Sequence, residues 1–181
     1  DMTEDIIHEA VKSGEAVLLD GKGYYKRITT PEAFLDCQRH MLYNENMSQR
    51  LTENNFSGAA IGEPVYIGEN VSVMSGSVIE SGSVIDNNAV VKGGKVNGYV
   101  GIGSVVSERC DINSAVVCRG AVLDSGVKCG EYSVIGEKAH IASEAVIEKG
   151  VGIWSGKNVE KGARLYENVK RSSDSRLVID E

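Results

Sequence analysis

The chain has 181 residues, a formal net charge of −7, 21 glycines and only two prolines. That length accommodates one core with an appendage, while the acidic balance supplies no basic field for nucleic acid. Every aliphatic run is cut within a few residues, which argues against a membrane-spanning helix, and glycine without proline indicates many tight corners between short strands.

Residues 1–45 read as a small α+β segment. DIIHEAVKSG fits a short helix with Thr3 as N-cap and Gly14 at its end. It follows no basic-then-apolar leader, so no export signal is visible and a cytoplasmic location is expected. The abrupt opening in mid-pattern suggests an excised or tagged piece. AVLLD and YYKRI, separated by GKG, read as a hairpin. TTPEAFLDCQRHMLY reads as a second helix, capped by Thr30, with Pro31 in its first turn and Phe34, Cys37 and Met41 on one face. Residues 46–60, largely polar, read as a linker.

From Ile61 to Lys170 the sequence becomes periodic. The hexads IGEPVY, IGENVS, VMSGSV, IESGSV, IDNNAV and VKGGKV are followed by an extra NGY. The pattern resumes at Val100 with VGIGSV and VSERCD, shortens once at INSAV, and runs on from VCRGAV to LYENVK. A period of six cannot be a helical stripe, because 3.6 residues per turn would scatter those positions around the axis. A short strand plus a corner fits. The first position, aliphatic except at Cys129, points inward; the fifth, as at Ser77, Ala89, Ala121 and Ala145, must be small to fit a narrow interior. The fourth is mostly Gly or Asn, which accept left-handed backbone at a corner.

One hexad buries too little alone, so the units stack as a solenoid with three hexads per turn. The expected fold is mainly β, with about six triangular coils. Three inward columns follow, of which one holds Ile61, Ile79, Val100, Val117, Ile135 and Ile153. Residues 171–181 read as a polar tail.

This repeat resembles the hexapeptide-repeat family, whose fold is a left-handed parallel β-helix. Handedness comes from the resemblance, since parallel crossovers are generally right-handed. GYYKRITTPEAFLDCQRHML, residues 23–42, further resembles a stretch at the end of the catalytic domain of sugar-1-phosphate nucleotidyltransferases. IWSGKNVEKGARL, residues 153–165, resembles the last coil of mannose-1-phosphate guanylyltransferase-like proteins, some of which continue into a phosphohexomutase-like domain.

These resemblances imply an assembly and regulatory carboxyl-terminal domain of a sugar-nucleotide pyrophosphorylase-like protein. The parent would join a sugar 1-phosphate to a nucleoside triphosphate with Mg²⁺, releasing pyrophosphate. The family's glycine-rich nucleotide signature is missing, so this chain alone is expected to be inactive, without cofactor, and to need the catalytic domain of the same polypeptide. Arg27 stands where the family carries an acidic Mg²⁺ ligand, so no metal site is expected. A homo-oligomer formed through the β-helix is the implied assembly.

The alternative is a hexapeptide-repeat acyltransferase using acetyl-CoA or another acyl-CoA. Such enzymes use a histidine base near a cleft between prisms, and His140 is the only histidine within the coils; His8 and His40 lie in front of them. The bland account of His140 is a solvated corner residue. A plain scaffold is the third reading. Cys37, Cys110, Cys118 and Cys129 lack ligand spacing and read as small thiols, ahead of a metal site or disulfides. Lys95 and Lys157 occupy fifth positions that should be small, a local distortion or an anion site. Tyr99 is placed to meet a partner, and Trp154 to pack on a neighbour. Glu80, Asp86, Glu137, Glu148 and Glu160 read as solvated faces.

Overall fold

The computed structural model describes residues 2–14, 23–45, 47, 49–50, 56 and 58–170. Among them the fold is a parallel β-solenoid of about six turns with two helices in front, the arrangement expected of a left-handed β-helix. Almost every strand is two residues long, an outward side chain followed by a buried one. Three walls result. Each strand pairs in parallel with its counterpart one coil away, so identical positions of the repeat stack.

The inward side chains form three columns. The first runs Ile61, Ile79, Val96, Ile112, Cys129, Ile147 and Leu165. The second runs Ile67, Ile85, Val100, Val117, Ile135 and Ile153. The third runs Val73, Val91, Val106, Leu123, Ile141 and Val159. Between the terminal coils these residues are almost wholly buried. The fifth-position Ser77, Ser83, Ala89, Ala121, Ser133, Ala139 and Ala145 are buried beside them, as their size predicts.

The sequence-derived columns need one correction. They place Val100 above Ile79, whereas Val96 occupies that place and Val100 stacks on Ile85. NGY is therefore not an insertion. Val91 to Val96 and then Val96 to Val100 are two shortened sides of one triangle, and the strand Lys95–Val100 turns a corner without breaking. Asp111–Val117 does the same one coil later and pairs with it, with a bulge at Ser114. At this corner Gly98 has φ +144°, and a Cβ there would run into the Ala115 carbonyl oxygen.

The helices sit differently from expectation in detail. The first, α1, spans Met2–Lys12, so Thr3 lies inside it and does not cap it; Gly14, at φ +73°, ends the turn that follows. Of the expected hairpin, residues 16–20 fall outside the described residues and Tyr24–Ile28 forms no strand. That segment instead runs along the second helix, α2 (Pro31–Asn44). Tyr24 stacks on His40 at 3.5 Å between ring centroids, and Lys26 Nζ donates to Asp36 Oδ2 at 3.3 Å. The residues read as a linker include Gln49–Arg50, which pairs with Tyr66–Ile67.

Thr30 caps α2 as its residue type predicts, its Oγ1 accepting from Ala33 N at 3.1 Å, with Pro31 in the first turn. The fully buried positions are Leu35 and Leu42, whereas Phe34, Cys37 and Met41 are half-buried. The reason is polar docking. Gln38 Nε2 donates to Gly82 O at 2.7 Å and Gly98 O at 3.2 Å, and Arg39 Nη2 donates to Asn97 Oδ1 at 3.3 Å and Ser114 Oγ at 3.0 Å. These contacts rotate the Leu35–Gln38–Leu42 face onto the prism corner. Phe34 then meets Tyr99 edge-on at 5.4 Å.

Two consequences are measurable. Gly98→Ala forces the Lys95–Val100 corner away from Ala115 and should lower unfolding free energy by about 1–3 kcal/mol in urea titrations. Gln38→Ala leaves two prism carbonyls unpaired and should cost about 1–3 kcal/mol, with amide hydrogen exchange accelerating in α2 before the coils.

Candidate functional site

The third wall presents, from rung to rung, the outward side chains Ser72, Val90, Val105, Val122, His140 and Asn158. Val122 stacks directly on His140, and Asp124 lies two residues beyond Val122, on the same face by the period of two. The register therefore brings the imidazole beside the carboxylate. His140 Nε2 lies 2.9 Å from Asp124 Oδ2, with side-chain exposures of 47% and 37%. Donation from Nε2–H to the carboxylate leaves Nδ1 with a free lone pair.

Asp124 is itself held. The Cys110 thiol donates to its backbone carbonyl at 3.0 Å, and burial pushes the Cys110 thiol up, so it stays protonated and able to donate. Further along the same corner Arg109 Nη2 donates to Glu144 Oε1 at 3.0 Å. Three half-buried valines on the wall and a charged pair at its edge flank the dyad.

His8 lies exposed on α1, and His40 is engaged by the Tyr24 ring and by Asn44 Nδ2, which donates to its Nδ1 at 3.2 Å. Neither approaches His140 through any contact among the described residues. Arg27 is exposed in the extended segment before α2. Lys95 does not point inward: it is the outward residue of its strand and its Nζ lies 2.8 Å from Glu80 Oε1, which replaces the anion-site reading with an ion pair. Lys157 is half-buried, and its carbonyl accepts from His140 N. Trp154 is exposed.

The acidic residues serve the outer surface. Glu148 meets Arg164, Glu137 meets Lys138, and Glu160 is exposed. Asp86 instead accepts from Tyr99 Oη at 2.9 Å, and burial of Tyr99 with this bond drives its hydroxyl far above the ordinary range. Among the described residues no three acidic, histidine or cysteine side chains converge as metal ligands. All four cysteines are free thiols, with Cys110 and Cys129 buried.

Sequence reasoning singled out His140 only under the acyltransferase alternative and did not consider Asp124. Register makes the pairing visible: a partner one coil earlier and two residues along the wall stands sixteen positions before the histidine.

No family model matches the chain, and no curated protein matches it. Among solved structures it is similar to a variant of GDP-perosamine N-acetyltransferase from Caulobacter crescentus, in complex with CoA and GDP-perosamine. The identity is 22% and the TM-score 0.45, over 70% of this chain and 57% of that one. It is also similar to the acetyltransferase domain of PglB from Neisseria gonorrhoeae, at 22% identity and TM-score 0.25, over 60% of this chain and 51% of that one. A third is UDP-N-acetylglucosamine acyltransferase from Campylobacter jejuni, at 15% identity and TM-score 0.30, over 64% and 71%. The chain thus spans little more than half the length of the first two.

These neighbours correct the functional expectation. All three are acyl- or acetyltransferases, which overturns the assembly domain of a guanylyltransferase-like pyrophosphorylase. The physical reason for the error is that residues 23–42 carry the resemblance in a segment of irregular backbone laid along α2, where a string of residue types constrains little.

The thiols give a direct check on the coils. Burial raises Cys129 strongly and Cys110 less, which suppresses the reactive thiolate. At pH 8 iodoacetamide should leave both unmodified in the folded chain and alkylate both in denaturant, read by peptide mass spectrometry.

Proposed function

We propose that the chain acts as a hexapeptide-repeat acyltransferase, with His140 as general base, Asp124 orienting it, and an acyl-CoA thioester as donor. The observation that carries this reading is the 2.9 Å contact between His140 Nε2 and Asp124 Oδ2 on an outward wall. A merely solvated histidine has no need of a carboxylate placed by register. CoA accompanies the perosamine N-acetyltransferase structure among the neighbours, and it supplies the donor class.

The chemistry balances within these groups. Nδ1 accepts a proton from an acceptor amine or hydroxyl while that nitrogen or oxygen bonds to the thioester carbonyl carbon. Asp124 stabilises the imidazolium that forms. Collapse of the tetrahedral adduct breaks the carbon–sulfur bond, the proton passes from Nδ1 to the leaving thiolate, and His140 returns to its starting state.

His140 stands on an open wall, so one prism offers only one side of a cleft. A second copy packed against the third wall, with Val90, Val105 and Val122 at the contact, supplies the other. The proposed active species is therefore a homo-oligomer assembled through the β-helix.

The test couples thiol release to assembly. With acetyl-CoA and an amino-sugar nucleotide, the chain should liberate CoA. His140→Ala should reduce kcat/KM about 10²–10⁴-fold, and Asp124→Asn should cost less. Sedimentation should find an oligomer; a monomer that fails to bind acetyl-CoA would overturn the proposal.

A further inference from the structure

A concave site lies on the neighbouring wall, away from the dyad. The segment leading into α2 and the prism together line an open groove of about 520 Å³. Its helix side is Ile28, Pro31 and Phe34, and its prism side is Tyr99, Val116 and Val134. That volume falls in the range of small-molecule sites, roughly 300–1,000 Å³.

The charged lining of this groove has one sign, and Glu137, which acts on Cys118 from outside it, is paired with Lys138. The lining contains no carboxylate, although the chain as a whole is acidic, and Arg119 is its cation. The nearby Asp86 is taken up by Tyr99 Oη. Among the described residues Arg119 makes no ion pair, and its backbone carbonyl is engaged by Lys138 N, which fixes the base of the side chain. Thr29 and Thr30 place hydroxyls at the opposite rim, and the amino end of the fourteen-residue α2 opens there. The Cys118 thiol, raised by burial, remains neutral.

The geometry points to a binding site for a small amphipathic anion, a flat apolar body carrying one carboxylate, seated between Phe34 and Val134 with its charge on Arg119. The apolar lining accounts for the body, the guanidinium for the charge. Because the ligand touches both α2 and the prism, its binding fastens the helix to the coils. The site shares no residue with His140 and Asp124, so it stands whether or not acyl transfer is the activity.

1-Naphthoate is the probe, with 1-naphthylmethanol as its neutral counterpart. The full chain should bind 1-naphthoate saturably with one site by calorimetry, and amide shift changes should cluster at residues 28–34, 99, 116–119 and 134. Arg119→Gln should weaken 1-naphthoate about tenfold while leaving the weaker 1-naphthylmethanol unchanged. Val134→Glu should abolish both, and His140→Ala should alter neither. Circular dichroism of each variant establishes that it is folded. Absence of saturable binding, shift changes centred elsewhere, or an Arg119→Gln chain that binds 1-naphthoate as tightly as the parent would each overturn the inference.

Discussion

Parallel hydrogen bonding between one coil and the next is the constraint on which everything else rests. It fixes which side chain lies above which, and so converts a linear repeat into three columns inside and three ladders outside. The interior is narrow, so an aliphatic at the first position demands a small neighbour at the fifth. Where a coil departs from the regular spacing, serine does more than fit. Ser77 Oγ donates to Val91 O and accepts from Gly93 N, and Ser83 Oγ donates to Val96 O and accepts from Gly98 N. Both hydroxyls serve the shortened coil: they accept its Gly93 and Gly98 N–H groups and share the Val91 and Val96 carbonyls, which also accept from Met74 N and Glu80 N. An alanine would fill the same space and take the acceptor away from the Gly93 and Gly98 N–H groups.

The corners obey a second rule. Glycine and asparagine take most left-handed positions, yet Arg109, Tyr132, Lys138 and Glu144 take four others at φ between 55° and 61°. Two of these exceptions hold one another, since Arg109 and Glu144 are paired across the corner. Between them stands Gly126, where an added Cβ would lie 2.5 Å from Glu144 Oε1. A side chain at 126 would obstruct the pair. The pair is exposed, so its contribution to stability is small; its effect is to order the edge of the wall that carries His140.

Much of this was legible in the sequence, because a period of six with a size rule at the fifth position leaves few geometries. The inward identity of Ile85, Leu123 and Ile141 follows from pattern alone. Register through residues 91–100 did not, since counting in sixes treats Val96 as the end of a hexad and NGY as surplus. Only the pairing of Val96 with Ile79 reveals two short sides. Asp124 was missed for a related reason: a contact between coils is set by three-dimensional register, and composition at either position carries no hint of it. The docking of α2 escaped notice because Gln38 and Arg39 look like ordinary surface residues until prism carbonyls are placed opposite them.

The three walls are not equivalent, and their differences divide the labour. The first wall is tied by lateral ion pairs, Lys95 with Glu80 and Arg164 with Glu148, that satisfy their charges within one chain. The second is partly roofed by the amino end of α2, which replaces flat strand surface with a concavity. The third keeps its valines half-buried and uncovered and carries the histidine and carboxylate at one end. Burying apolar outward residues in pairs is what a flat ladder does best, because the rungs of two prisms can mesh along their whole length. On the proposed acyltransferase reading, the contact that buries the valines would also bring the dyad against the neighbouring prism, so assembly and formation of a reaction cleft would be a single event.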